Sequence, residues 1–312
     1  MSRKVLLTSL LLLAGWAPAR AQEKPAGPRV PPGVEYLPDL TYCTVDNTEM
    51  KLDLARPKDG TGPFPAVVCV HGGGWHMGTR KMYTAWVLEL ARNDYVAVSV
   101  SYRLTPKYQF PCQINDVKCA VRWLRANADK YKVDPERIGC IGDSAGGHLV
   151  CLLGTTSKKD GLDGDGGYAE QSSAVKCVVA YYPPTDLTIV HEVIRDGKAP
   201  FLEGLYAKKV VEDLLGGPPE KVGADKYAKC SPVCYACKEA APMLLIHGTA
   251  DKLVPIEQSK LLEKKLKEAG AEATVLPIEK GGHGFWGKDS ETAAMAAMEF
   301  FAKHLKPAKP GK

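Results

Sequence analysis

The 312-residue sequence predicts an α/β fold, a mostly parallel sheet of eight strands with helices on both faces. Three observations carry that reading. Six short runs rich in Val and Ile recur from residue 65 onward, almost unbroken in hydrophobicity, as strands covered on both faces must be. Amphipathic helical stretches alternate with them, and a helical crossover is what a parallel strand pair needs. Two earlier runs alternate apolar and polar residues on either side of Asn47-Thr48, which reads as an antiparallel hairpin at one edge.

Along the chain, Arg3 and Lys4 lead into the apolar run VLLTSLLLLAGWA, and Ala19-Arg20-Ala21 places small residues at a cleavage site. Residues 1–21 therefore read as a signal peptide, too short for a transmembrane span, and export to the periplasm or the exterior after cleavage near Ala21 is expected. No cysteine lies near its end to carry a lipid. Residues 22–39 are rich in Pro and Gly and read as an extended lead-in. One catalytic domain is expected over 40–306. The hairpin runs are LTYCTVD and EMKLDLARP. The buried strands are PAVVCVH (65–71), YVAVSV (95–100), RIGCIG (137–142), VKCVVAYY (175–182), PMLLIHG (242–248) and EATVLPI (272–278). Ile114, Val117, Val121, Leu124 and Ala128 mark one stripe of a helix reaching about Tyr131. A second helix covers 257–269 and stops at Gly270, and a last one covers about 290–305. The Gly/Asp-rich loop 157–173 and the stretch 186–230 interrupt the alternation, and the latter is expected to form a small cap.

Composition excludes several classes. With 45% hydrophobic and 25% charged residues the chain is neither disordered, collagen-like nor a coiled coil. The net charge of +5 falls to +2 without Arg3, Lys4 and Arg20, so nothing argues for nucleic acid or a membrane surface as partner. Ten cysteines are too few for a disulfide scaffold. Cys69, Cys140 and Cys177 sit within apolar runs as small hydrophobes. Cys230, Cys234 and Cys237 space like a metal knuckle but lack a nearby fourth ligand, and a disulfide among them, or with Cys112 or Cys119, is expected instead.

The chemistry concentrates at the strand ends. Gly142-Asp143-Ser144-Ala145-Gly146 follows the strand RIGCIG and opens a helical run. A nucleophilic serine on such a strand–turn–helix elbow stands above the sheet, and side chains two positions before and after it would collide with the backbone. His71-Gly72-Gly73-Gly74-Trp75 follows an earlier strand, where bare backbone N–H groups can face a developing oxyanion. On an elbow of this kind the acid and then the histidine follow the serine in the chain. His283, in GGHGFW after EATVLPI, suits that order better than His247 or His304. Asp251, at the end of HGTAD, is the acid of choice, with Asp186 its rival.

HGGGW at 71–75, SYRLTP at 101–106, GDSAGG at 142–147, HGTAD at 247–251 and GGHGFW at 281–286 together resemble the α/β-hydrolase fold esterases related to hormone-sensitive lipase. Closer still is the resemblance to exported carbohydrate-esterase-like members, feruloyl and acetylxylan esterases among them. It covers about residues 40–305. It implies Ser144, Asp251 and His283 as a catalytic triad and the N–H groups of Gly73, Gly74 and Ala145 as the oxyanion hole. It implies no metal and no organic cofactor. The larger lipase-group members carry an N-terminal helical cap that residues 22–39 are too short to form, which favours an open site and short acyl or carbohydrate-linked acetyl and feruloyl esters, small or polymeric. Trp75 and Trp286 flank the glycine loop and the histidine and are candidate substrate-binding residues. A serine peptidase or lipase on the same fold, and a non-catalytic binding protein, are the competing readings.

Overall fold

The computed structural model describes residues 27–189 and 201–306. The signal-peptide reading of 1–21, the first part of the lead-in and residues 190–200 of the expected cap lie outside the described residues. The strands are β1 (Val34–Val45), β2 (Thr48–Pro57), β3 (Phe64–Val70), β4 (Val96–Val100), β5 (Val133–Asp143), β6 (Val178–Tyr181), β7 (Met243–Gly248) and β8 (Ala273–Ile278). They form one sheet in the order β1-β2-β4-β3-β5-β6-β7-β8, antiparallel across β1–β2 and β2–β4 and parallel elsewhere.

Strand β1 starts at Val34, inside the stretch expected to be an extended lead-in, because β2 is long enough to pair Val34 with Pro57. Pro38 is accommodated where the register shifts between Leu37 and Leu40, as expected for proline on an edge strand.

The unbroken hydrophobicity of the central strands reflects two cores. Ala66, Val68 and Val70 face one side with Ile114, Val121 and Leu149, while Val67 and Cys69 face the other with Val87, Leu90 and Phe301. The helices are α1 (Thr84–Arg92), α2 (Cys112–Ala126), α3 (Ala128–Tyr131), α4 (Ala145–Thr155), α5 (Phe201–Leu215), α6 (Pro219–Val222), α7 (Ala224–Lys229), α8 (Glu257–Glu268) and α9 (Lys288–Leu305), and those side chains come from α1, α2, α4 and α9. The stripe read as reaching Tyr131 breaks at Asn127, whose Nδ2 donates to the Trp123 carbonyl at 2.8 Å, and resumes as the single turn of α3.

Helix α2 also clamps the loop 157–173. Lys118 Nζ lies 2.7 Å from Asp163 Oδ1, and Arg122 donates to the carbonyls of Asp163 and Gly167. On the same helix, buried Asp116 accepts from the Arg103 guanidinium and backbone N–H, which holds the SYRLTP loop.

All ten cysteines are unpaired, which corrects the expected disulfide. Cys230 is fully buried with its Sγ 3.7 Å from His148 Nε2, whereas Cys234 is exposed. Cys119, beneath the 157–173 loop, sets its Sγ 3.1 Å from the Gly166 carbonyl. Among the described residues no three His, Cys, Asp or Glu side chains converge as a metal site, and no helix is long and apolar enough to cross a membrane.

Helix α4 packs onto the sheet through bare backbone. A Cβ on Gly146 would lie 2.1 Å from the Val70 carbonyl oxygen, and one on Gly142 would lie 2.5 Å from that of Gly146. Gly146→Ala is therefore expected to destabilise the fold by about 1–3 kcal/mol or more, whereas Gly282→Ala, with open space around the new methyl, should change stability by less than about 0.5 kcal/mol. Urea unfolding of the two variants measures both.

Candidate active site

Strand β5 ends at Asp143, α4 begins at Ala145, and Ser144 between them adopts φ 50°, ψ −116°. This is a sparsely populated conformation for a residue with a side chain. It is held by the Ser144 N–H donating to the Tyr181 carbonyl at 2.9 Å and by the His148 N–H donating to the Ser144 carbonyl at 2.9 Å. The hydroxyl faces a cavity at the carboxyl edge of the sheet, where open α/β sheets place their ligands.

His283 comes from the loop after β8. Its Nδ1 is 2.7 Å from Asp251 Oδ2 and its Nε2 is 2.8 Å from Ser144 Oγ. A carboxylate only accepts, so Nδ1 carries the hydrogen and Nε2 is free to accept from the serine hydroxyl. The imidazole also packs against Tyr182, ring centroids 4.6 Å apart.

Asp251, after β7, is held in turn. Its Oδ1 accepts from the N–H groups of Leu253 and Val254 at 2.9 and 3.0 Å. Burial raises the pKa of this carboxyl, but hydrogen bonds from His247 and His283 outweigh it and hold the group well below the ordinary carboxylate range. Asp186, the rival, turns its carboxylate to Thr188, accepting from its N–H at 3.0 Å and its hydroxyl at 2.5 Å. The structure thus joins Asp251 and not Asp186 to the histidine.

The glycine loop 71–75 runs from the end of β3 along the cavity. Asp143 Oδ1 accepts from the Gly72 N–H at 2.9 Å and the Tyr83 hydroxyl at 3.0 Å, tying this loop to the serine turn. Burial raises the Asp143 carboxyl despite these two donors. The Tyr102 hydroxyl donates to the His71 carbonyl at 2.9 Å. Gly73, Gly74 and Ala145 all border the cavity beside Ser144, and among the described residues no acceptor takes the N–H of Gly73 or Gly74.

Trp75 borders the cavity, as a substrate-binding candidate should, but neither tryptophan presents the exposed platform beside Ser144 that was expected. Trp75 is buried, with φ 59°, and its indole N–H donates to His148 Nδ1 at 3.2 Å, so its ring is packing rather than an exposed platform. His148 Nε2 lies 2.6 Å from the Cys230 carbonyl, an acceptor. The two partners therefore leave one tautomer, neutral and protonated at Nε2. Trp286 is 85% exposed and lies outside the lining of the cavity.

The cavity measures about 670 Å³. Gly204, Tyr206, Ala207, Val210 and Val211 of α5 border it together with Leu253, Val254 and Pro255. The expected open site is thus roofed on one side by apolar groups. Asp143 and His148 were not singled out from sequence, and His247 was weighed only as a rival to His283. Asp143 is the variable position of the GxSxG motif, and His148 sits within the apolar run AGGHLVCLLG.

The BD-FAE family model matches residues 52–266. The chain belongs to this family. The dienelactone hydrolase family model also matches residues 227–306. Esterase LipC of Mycobacterium tuberculosis is 32% identical over 274 residues, 85% of this chain and 66% of LipC. The chain spans about half of the next two curated relatives, 55% and 47% of their lengths. A truncated carbohydrate esterase from gut microbiota superposes with a TM-score of 0.72 at 26% identity, over 88% of this chain and 97% of that one. Esterase Est2 of Thermogutta terrifontis, solved with propionate bound, superposes with a TM-score of 0.71 at 26% identity, over 89% and 97%. The resemblance to α/β-hydrolase esterases read from the motifs holds.

Burial lowers the pKa of His148 to about 4, from about 6.5 in an unfolded chain. The unfolded state binds the extra proton, so this contribution to stability is full above about pH 6.5 and is lost as pH falls toward 4. Denaturation at pH 7 and pH 4 should show the wild type losing about 3 kcal/mol more than His148→Gln, which has no such group to protonate.

Proposed function

We propose that the protein is a serine carboxylic ester hydrolase working through Ser144, His283 and Asp251. The observation that carries this reading is a pair of hydrogen bonds, His283 Nδ1–H donating to Asp251 at 2.7 Å and the Ser144 hydroxyl donating to His283 Nε2 at 2.8 Å, with Ser144 and His283 both bordering the cavity. His283 Nε2 takes the hydroxyl proton as Ser144 Oγ attacks the ester carbonyl, and Asp251 stabilises the imidazolium that forms. The N–H groups of Gly73, Gly74 and Ala145 bind the tetrahedral oxyanion, where losing one such donor costs about 3 kcal/mol in comparable sites. The imidazolium then protonates the departing alkoxide. Water, deprotonated by His283, releases the acid from the acyl-enzyme and restores the serine. No step requires a metal or an organic cofactor.

The substrates we infer are esters of short or aromatic acids, with a small alcohol or a sugar on the other side of the bond. The named activities of the neighbouring structures, a carbohydrate esterase and an esterase holding propionate, support this. The cavity adds apolar walls for an acyl group, and Trp286, exposed on the loop that follows His283, offers a face for a sugar ring of the alcohol part. Acetylated or feruloylated polysaccharides are accordingly within reach of an exported enzyme, and the basic, apolar start of the sequence supports export.

A fluorophosphonate should label the wild type at Ser144 and leave Ser144→Ala unlabelled and inactive; labelling of the Ala variant overturns the reading. Asp251→Asn should lower kcat by about 10⁴ through the wrong imidazole tautomer, and Asp186→Asn by less than about tenfold, because the latter residue does not orient the imidazole.

On aryl esters of two to sixteen carbons, kcat/KM should peak within about eight carbons. A rise of about 0.8 kcal/mol for each further methylene would return the protein to the lipases.

A further inference from the structure

We propose that His148 is a positioning residue for ester hydrolysis, setting the oxyanion loop through its hydrogen bond to Trp75. The inference rests on the proposed esterase reading and extends it to a residue that never meets the substrate. His148 occupies α4 one turn beyond Ser144, and its backbone N–H already donates to the Ser144 carbonyl. Its ring is fully buried and spans two segments. Nδ1 accepts from the Trp75 indole at 3.2 Å, and Nε2 donates to the Cys230 carbonyl at 2.6 Å.

Trp75 ends the run whose Gly73 and Gly74 N–H groups border the cavity, and it holds φ 59°, a conformation that a residue with a side chain keeps only when its surroundings enforce it. The enforcing contacts are the indole hydrogen bond and the edge-to-face packing of the two rings, centroids 5.2 Å apart. The Thr105 N–H, donating to the Trp75 carbonyl at 3.0 Å, fixes the other side of the residue. The nucleophile and the oxyanion donors thus share one anchor. An apolar side chain in its place leaves the indole N–H buried without an acceptor, so the loop shifts to satisfy it.

The test measures kcat, KM and the Ki of an aryl trifluoromethyl ketone on p-nitrophenyl acetate. That ketone takes up Ser144 Oγ to form a hemiketal whose oxyanion needs the same N–H groups. His148→Leu should lower kcat by about 10- to 100-fold and weaken the ketone in parallel, with KM little changed. His148→Gln offers an acceptor and a donor and should recover most of kcat. Trp75→Phe, which removes the N–H, should match His148→Leu, and the double variant should be no worse than either, as coupled residues behave. Folded variants that keep kcat and Ki overturn the inference, as do losses confined to KM or losses that add. If His148→Leu does not fold, Trp75→Phe and His148→Gln decide alone. A wild type without esterase activity would instead overturn the esterase reading.

Discussion

The backbone of Gly146 packs against β3 at a separation that would set a Cβ 2.1 Å from the Val70 carbonyl oxygen. That contact brings the first turn of α4 beside the carboxyl end of β3. The serine turn and the glycine loop spring from those two ends, so both open onto one crevice. Parallel pairing fixes their height, with Val70 opposite Gly142 and Val68 opposite Cys140. The strained backbone of Ser144, worth about 1–3 kcal/mol, persists because β6 and α4 both hydrogen-bond to it. A larger residue at 146 would relieve none of that strain and would separate the two loops that the chemistry needs together.

Histidine chemistry in this protein is sorted by burial. His148 and His247 are each fully buried with partners on both ring nitrogens, the latter meeting Ser259 Oγ at 2.7 Å and the Val254 carbonyl at 2.8 Å. Rings so occupied act as spacers with a fixed tautomer. His283 keeps a side chain 20% exposed, one nitrogen committed to a buried carboxylate and the other directed at a hydroxyl. The contrast is electrostatic as well as geometric. Asp251 stays charged because the hydrogen bonds from His247, His283 and the Val254 N–H, with the nearby His283 charge, outweigh its burial, and a charged partner is what an imidazole needs to accept a proton in a partly dry site.

The sheet was legible in the sequence because buried parallel strands must be apolar on both faces, a signal that few other structures produce. The serine, histidine and aspartate that the structure brings together could be picked out because chain order on a strand–turn–helix elbow leaves few candidates, with Asp251 preferred to Asp186 on position and order. What escaped were the second-layer contacts. Asp143 ties the glycine loop to the serine turn, yet nothing local to GDSAG reveals a partner 71 residues away. Trp75 looked like a platform because it follows three glycines. Whether such a ring turns inward depends on an acceptor in another element, here His148. The cysteines misled for a related reason: a count says nothing of direction, and their thiols are distributed between the two cores, the α2 clamp and the surface.

Helix α5 shows why the shape of the cavity was the least legible feature. Val210 and Val211 lie in the stretch expected to form a small cap, yet they belong to the hydrophobic core together with Leu214 and Leu215. In the structure they also border the cavity. Core and cavity wall are thus the same residues, and the helix end is tethered where the Phe110 N–H donates to the Leu214 carbonyl at 2.8 Å. The segment after α7 completes the frame. The Cys230 carbonyl holds His148, and through it Trp75, while Ser231 Oγ accepts from the N–H of Leu187 in the cavity wall at 2.9 Å and donates to the Tyr227 carbonyl at 2.9 Å. One short stretch therefore braces both the glycine loop and the Leu187 side of the cavity. A substitution there would move the two together, so the size of the cavity and the position of the glycine-loop N–H groups are not independent variables in this fold.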